Sequence, residues 1–248
     1  SHIVERLVKL KKRVFIIDNL STGHKKLINK KAKFFFCDIK NFKKLEKIIR
    51  DNKIQSIIHL AASLSVGESQ KKPKKYYQNN VQGTVNTIKA CRLNNIKNFI
   101  FSSTCAVYKD GISRVKESSI LKPTSVYGST KLSCEKLITN KLKDKKTNYA
   151  ILRFFNVAGA SNSGKIGLIS KGDQLFKNLS IAVKKEKPKI DIYGNNYDTE
   201  DGTCVRDYIH VSDISHIHIL ALKKINEVKK SVILNCGYGK GISNLDVV

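Results

Sequence analysis

Short apolar runs alternate with stretches of helical spacing along most of this chain, and that alternation limits the folds open to it. The runs cover residues 13–18, 33–38, 55–62, 97–103 and 148–155. Between them, apolar residues recur every three or four positions. Residues 1–10 carry Ile3, Val4, Leu7, Val8 and Leu10, and residues 42–51, 76–94 and 127–142 read the same way. Four- to eight-residue apolar runs are strands, and the 3.6-residue period marks helices. Strands alternating with helices predict a parallel sheet covered on both faces. Ligands of such sheets bind at the carboxyl ends of the strands. Asp18, Asp38, Ser103 and Asn156 stand at those ends.

With 248 residues and 41% hydrophobic content, the chain can bury one large α/β core with a smaller lobe. Its net charge of +27 suggests a polyanionic partner. The distribution argues otherwise. Lysines occur as scattered pairs, at 11–12, 25–26, 71–72, 145–146 and 229–230, and no Arg-rich block appears. No nucleic-acid partner is expected, but the field draws anionic ligands, nucleotides included. The six cysteines, at 37, 91, 105, 134, 204 and 236, form no Cys-x-x-Cys. Neither a zinc site nor a disulfide framework is indicated, and reduced thiols in a cytoplasmic protein are expected. No apolar run is long enough to span a membrane, and no signal peptide is seen. His216-x-His218 falls in a helical stretch, where residues two apart face different ways, so no metal site is expected.

The segment Tyr127-Gly-Ser-Thr-Lys131 supplies a phenol and an ammonium four residues apart. On a helix both face one side, one turn apart. A neighbouring cation favours the phenolate, and a phenol lowered toward neutrality can accept a proton from a hydroxyl. Asp18 suits the two hydroxyls of an adenosine ribose and would repel a 2′-phosphate, which selects NAD over NADP. Asp38 and Ile39 would sit at the adenine edge. The Gly237-x-Gly239-x-Gly241 run follows a strand at residues 231–236, but no ribose-binding acid lies about 20 residues beyond it. It reads as a tight turn.

Several motifs resemble the extended short-chain dehydrogenase/reductase family and, within it, the UDP-sugar 4-epimerases. They occur in order: Asp18-Asn-Leu, His59-Leu-Ala-Ala62, Tyr76-Tyr-Gln-Asn-Asn80, Phe101-Ser-Ser-Thr104 and Tyr127-x-x-x-Lys131. Leu152-Arg-Phe-Phe-Asn-Val-Ala-Gly-Ala160 and the stretch Tyr193-Gly-Asn-Asn-Tyr-Asp-Thr-Glu-Asp-Gly-Thr-Cys-Val-Arg-Asp-Tyr-Ile-His-Val211 are the more specific matches. Ser1-His2 is similar to the tail of the family's Gly-rich start. The resemblance implies a Rossmann-like doubly wound sheet whose first strand and Gly-rich turn are absent from these residues. It further implies an NAD-binding domain over 1–155, and a UDP-sugar lobe over 156–248 that interleaves with it and is cut short at its end.

The implied chemistry interconverts UDP-galactose and UDP-glucose. Tyr127 takes the 4-hydroxyl proton, Lys131 lowers its pKa and bonds the nicotinamide ribose, and Thr104 hydrogen-bonds the same hydroxyl. Hydride leaves C4 for NAD and returns to the other face of a 4-keto sugar. The implied cofactor residues are Asp18, Asn19, Asp38, Ile39, Leu60, Ala61, Ala62, Asn79, Ser102, Tyr127, Lys131 and Phe154. Those implied for the substrate are Thr104, Tyr127, Asn156, Gln174, Leu175, Tyr193 and Arg206. A homodimer through the helices beginning near Tyr76 and Tyr127 is implied as well. The chain departs from the family pattern at Leu64, where a Lys is frequent, at Lys109, where Gly is usual, and at Asp173-Gln174, near the family's Asn-Asn. A sugar-nucleotide 4,6-dehydratase needs an Asp-Glu pair directly after the Thr, and Cys105-Ala106 stands there instead. Other UDP-sugars (N-acetylhexosamines, uronates, pentoses) and a non-catalytic nucleotide-binding fragment remain as alternatives.

Overall fold

A computed structural model describes residues 1–144, 146–169 and 174–248, so Lys145 and Asp173 lie outside the described residues. Its elements in chain order are α1 (His2–Lys9), β1 (Phe15–Asp18), β2 (Lys33–Phe36), α2 (Phe42–Asp51), β3 (Ser56–His59), α3 (Val66–Lys71), α4 (Pro73–Tyr76), α5 (Gly83–Leu93), β4 (Asn98–Thr104), α6 (Val126–Lys141), β5 (Asn148–Phe154), β6 (Asn156–Ala158), α7 (Leu175–Ala182), β7 (Val205–His210), α8 (Val211–Val228), β8 (Val232–Cys236), β9 (Gly241–Ser243) and α9 (Asn244–Val247). The five expected apolar runs all become strands; four are trimmed to the residues that ladder with a neighbour, and β4 starts one residue later and runs one further, to Thr104.

The α/β architecture with parallel pairing follows the expectation. β3, β4, β5 and β8 form one four-stranded parallel sheet, and β1 pairs in parallel with β2 in a separate sheet. Among the described residues, no strand pairs with the remaining edge of β1 or of β3. β7 pairs in parallel with β6 and antiparallel with β9. β8 lies beyond residue 156 yet completes the central sheet, so the two halves of the chain share it.

Both faces of that sheet are buried, because β4 and β5 alternate their side chains between two cores. Phe99 and Phe101 pack with Leu45, Ile48 and Ile49 of α2, Ile88 of α5 and Ile138 of α6. Ile100, Leu152 and Phe154 pack with Ile214, Ala221 and Ile225 of α8. α2 shows why such helices form. Phe42, Leu45, Ile48 and Ile49 make one apolar stripe, and the Asn41 side chain caps the first turn by accepting the Lys44 N–H at 3.1 Å. No helix of the described residues is long and apolar enough to cross a membrane.

One expected helix differs. Residues 76–94 read as a single helix, but α4 passes into a π-helical turn at Tyr77–Gln82 before α5 begins. The Asn80 carbonyl is engaged sideways, by the Thr84 hydroxyl at 2.6 Å and the Cys134 thiol at 3.3 Å. Such π turns mark functional sites often enough that this one directs attention to Asn79 and Asn80.

The most demanding contact in the core is ionic. The Arg153 guanidinium on β5 grips Glu135 on α6 with Nη2 at 2.7 Å and Nε at 3.0 Å, and both side chains are almost wholly buried. Glu135 also accepts the Ser103 hydroxyl at 2.5 Å, and Arg153 donates to the Tyr108 hydroxyl at 2.8 Å. Removing one partner of a buried pair strands the other charge, at about 3–5 kcal/mol. Arg153→Leu should therefore lower the urea midpoint by that equivalent, while the double replacement Arg153→Met/Glu135→Leu should recover most of the loss. A single variant losing less than about 1 kcal/mol would show that the pair is not desolvated as described.

Candidate active site

The site lies at the carboxyl ends of β3, β4 and β5. β4 leads directly into it: its pairing with β3 stops at Phe101, while its pairing with β5 continues to Thr104. Thr104 then turns the chain, its Oγ1 accepting the Ala106 N–H at 3.2 Å. α6 starts beside that turn, capped by Ser125, whose hydroxyl accepts the Gly128 N–H at 3.0 Å. Gly128 permits the approach, since a Cβ there would fall 2.3 Å from the Ala106 carbonyl oxygen. Tyr127, on this first turn, is fixed by its N–H donating to Ser69 Oγ on α3 at 3.1 Å.

Thr104, Tyr127 and Lys131 are brought together, but their charges are arranged differently from the expectation that Lys131 sets the phenol. Lys131 is only 3% exposed. Its ammonium donates to the Ser102 carbonyl at 2.7 Å and lies 4.7 Å over the Phe101 ring. Burial drives it down to about 8, with Glu135 one turn later among the groups pulling it up. Burial pushes the Tyr127 phenol up to about 12, and the opposing downward pull is a hydrogen bond with Thr104. In the chain alone the phenol is protonated at neutral pH. His59, beneath Lys131, is fully enclosed and driven down to about 3 by burial and by the lysine's charge, so it is neutral.

The residues expected at the cofactor fall into two groups. Asp18 ends β1; one of its oxygens accepts the Leu20 N–H at 2.6 Å. Gly23 faces that carboxylate, where a Cβ would come within 3.1 Å of Oδ2. Asn19 donates to Asp38 at 3.0 Å. Asn79 donates to Ser63 Oγ at 3.3 Å, beside the loop that carries Leu60, Ala61 and Ala62. Ile39 and Phe154 are buried in the two cores. Ile39 packs under Gly83, whose added Cβ would strike it at 2.3 Å, and Phe154 stacks on His218 at 5.2 Å.

On the other side, Asn156 opens β6 and donates to the Asp207 carbonyl at 3.4 Å. Arg206 is exposed on β7, and its charge acts on the Cys105 thiol next to Thr104. Gln174 is exposed at the start of α7, followed by Leu175. Tyr193 is 82% exposed and lines a shallow cavity with Asn178, Ile181 and Ala182 of α7. The Gly237 turn wraps a carboxylate: Tyr238 N–H and Gly239 N–H donate to Asp207 at 3.0 and 2.7 Å.

Several supporting residues were not among the expected ones. Asn80 is buried, accepts the Ser63 N–H at 2.7 Å, and donates to the Ser63 carbonyl and to Thr130 Oγ1, both at 3.1 Å. It thereby ties the loop after β3 to α6. Ser69, Glu135 and His218 act similarly. A polar residue inside an otherwise apolar helical stripe was the available signal for Glu135 and His218.

A parallel α/β sheet with Tyr, Lys and Thr at its carboxyl edge and a strand-end acid defines a nicotinamide-dependent class. The chain belongs to the NAD dependent epimerase/dehydratase family, whose sequence profile matches residues 1–237. It is 42% identical over 252 residues to the UDP-glucose 4-epimerase of Lactobacillus helveticus, across 100% of this chain and 76% of that protein. Its fold matches the UDP-glucose 4-epimerase from Brucella ovis in complex with NAD, with a TM-score of 0.93 and 35% identity over 100% of this chain and 76% of that one. A third match is the Bifidobacterium longum UDP-glucose 4-epimerase in complex with NAD+ and UDP, with a TM-score of 0.91 and 31% identity over 100% and 77% of the two chains.

The residues present fit NAD. The second Asp18 oxygen carries no protein donor among the described residues and can take a ribose diol. His2 Nε2, at the start of α1, is buried without a partner.

The buried ammonium makes stability depend on pH. Lys131 has a folded pKa of about 8 against an ordinary 10.5. Between those values the unfolded chain holds the proton and the folded chain does not, so stability rises with pH across that window, and below pH 8 the penalty is fully present. Lys131→Met should stabilise the chain at pH 7 by on the order of 2–3 kcal/mol. That advantage should shrink between pH 8 and 10.5 as wild-type Lys131 deprotonates. Urea midpoints of both proteins at pH 7 and pH 10 test this, and a gap independent of pH would contradict it.

Proposed function

We propose that the chain interconverts UDP-galactose and UDP-glucose by inverting C4. One observation supports the reading: Thr104 hydrogen-bonds the Tyr127 phenol at the end of β4, and Lys131, one turn along α6, is held at the Ser102 carbonyl at 2.7 Å. Tyr127, as the phenolate that the positive nicotinamide ring of bound NAD would favour, would take the 4-hydroxyl proton as C4 is oxidised and give it back on reduction, and Thr104 would orient that hydroxyl. NAD, when bound, accepts the hydride from C4 and returns it. Lys131 holds the nicotinamide ribose. Asp18, Asn19, Asp38, Asn79 and Ser102 bind the rest of the cofactor. Arg206 forks onto the diphosphate, with Asn156, Gln174, Leu175 and Tyr193 completing the nucleotide site. Residues 1–155 then serve the cofactor and 156–248 the sugar nucleotide.

Neither Cys105 nor Ala106 can supply the acid that water elimination needs, which favours epimerisation over dehydration. A homodimer through α5 and α6 belongs to this reading. The cavity of about 520 Å³ between them, with Val85, Leu93 and Leu137 in its lining, supports it.

The test is formation of UDP-glucose from UDP-galactose with NAD added. Tyr127→Phe should lower turnover by about 10²–10⁴-fold while leaving UDP affinity within a few-fold. Undiminished turnover would remove Tyr127 from the proton's path. Turnover of UDP-N-acetylgalactosamine in place of UDP-galactose would reassign the substrate.

A further inference from the structure

His218 on α8 is 0% exposed and lies among none of the residues placed against cofactor or substrate. Its Nδ1 is 2.8 Å from the Ile214 carbonyl, which can only accept, so Nδ1 carries the hydrogen. Burial lowers its pKa and keeps the ring neutral. Nε2 is therefore an acceptor, and the Ser102 hydroxyl, at 3.0 Å, donates to it. The carbonyl of that same Ser102 accepts the Lys131 ammonium at 2.7 Å.

Ser102 needs such a tie. It is the first residue of β4 past the end of the β3 pairing, so one of its two flanks has no ladder. On the opposite face of the strand, Ser103 is held by Glu135 at 2.5 Å. The end of β4 is thus clamped from both faces, and the α8 side of the clamp is one imidazole. The stack of His218 on Phe154 at 5.2 Å leaves the ring in one orientation.

We propose that His218 is a positioning residue for Lys131: through Ser102 it holds the carbonyl that carries the lysine ammonium in the cofactor cleft. The inference rests on the epimerase reading for what Lys131 does, but not for where Lys131 is held. The tie couples the helix after β7, on the sugar-nucleotide side, to the lysine on the cofactor side.

Two substitutions separate positioning from packing. A glutamine amide oxygen reaches the place of Nε2 and can accept the Ser102 hydroxyl. An asparagine amide reaches only the place of Nδ1 and can keep only the Ile214 bond. His218→Gln and His218→Asn should both lower the melting temperature. Only His218→Asn, and with it Ser102→Ala, should expose Lys131. Lys131 is followed by brief acetic anhydride labelling and peptide mapping, which needs neither cofactor nor turnover. Labelling should be several-fold faster in His218→Asn and Ser102→Ala than in the wild type, with His218→Gln close to the wild type. In the UDP-galactose assay, kcat should fall about tenfold in His218→Asn with KM within a few-fold, and His218→Gln should restore most of it. Equal labelling of Lys131 in His218→Asn and the wild type would overturn the proposal. So would equal acceleration in His218→Gln and His218→Asn, which would mark loosened packing alone. If either histidine variant fails to fold, Ser102→Ala labelling decides. A wild-type chain inactive on UDP-galactose would count against the epimerase reading, and the labelling comparison would still decide this one.

Discussion

Lys131 is a cation held almost entirely away from water, and much of the carboxyl edge of the sheet is arranged around it. A buried ammonium is costly unless other groups replace its hydration. Here the Ser102 carbonyl accepts it, the Phe101 ring faces it, and the Glu135 carboxylate stands one turn along the same helix. Glu135 in turn is shared with Arg153 and Ser103, so the negative charge that favours the lysine is itself neutralised. Lys131 and Glu135 belong to α6, while Ser102, Ser103 and Arg153 belong to β4 and β5. The network therefore fastens one helix to two strand ends, and Tyr127, on the first turn of that helix, inherits its position.

A second set of bonds closes the neighbouring side. The loop after β3 has no ladder of its own, and Asn80 substitutes for one through Ser63 and Thr130. The π turn makes this possible, because it rotates Asn79 and Asn80 by an extra residue relative to α5. Asn79 is left to the cleft and Asn80 to the scaffold. A regular α-helix through 76–94 would not divide their roles in this way.

The layers of this fold were legible because their signals are local. Apolar runs such as 97–103 and the stripe Phe42, Leu45, Ile48, Ile49 report burial directly, and β4 and α2 follow them closely. Tyr127, Lys131 and Thr104 were legible from spacing and resemblance together. What was not legible depends on contacts far apart in the chain. Ile39 packs against Gly83 and Phe154 against His218, contacts that no local pattern announces. The phenol of Tyr127 rises rather than falls, because burial outweighs its hydrogen bond with Thr104 while the Lys131 ammonium is engaged by the Ser102 carbonyl. The glycine run at 237–241 was readable as a turn, but its partner, Asp207, sits about thirty residues earlier on β7.

The same long-range contacts bear on how independent the two halves of the chain can be. β8 completes the sheet whose other strands precede residue 156, and α8 supplies the imidazole behind Ser102. The second half thus contributes structural groups to the cofactor side, besides the side chains read as nucleotide contacts. His218 thereby ties α8 to the strand end that holds the Lys131 ammonium. Because Ser102 is laddered on one side only, that tie supplies support the β3 edge does not.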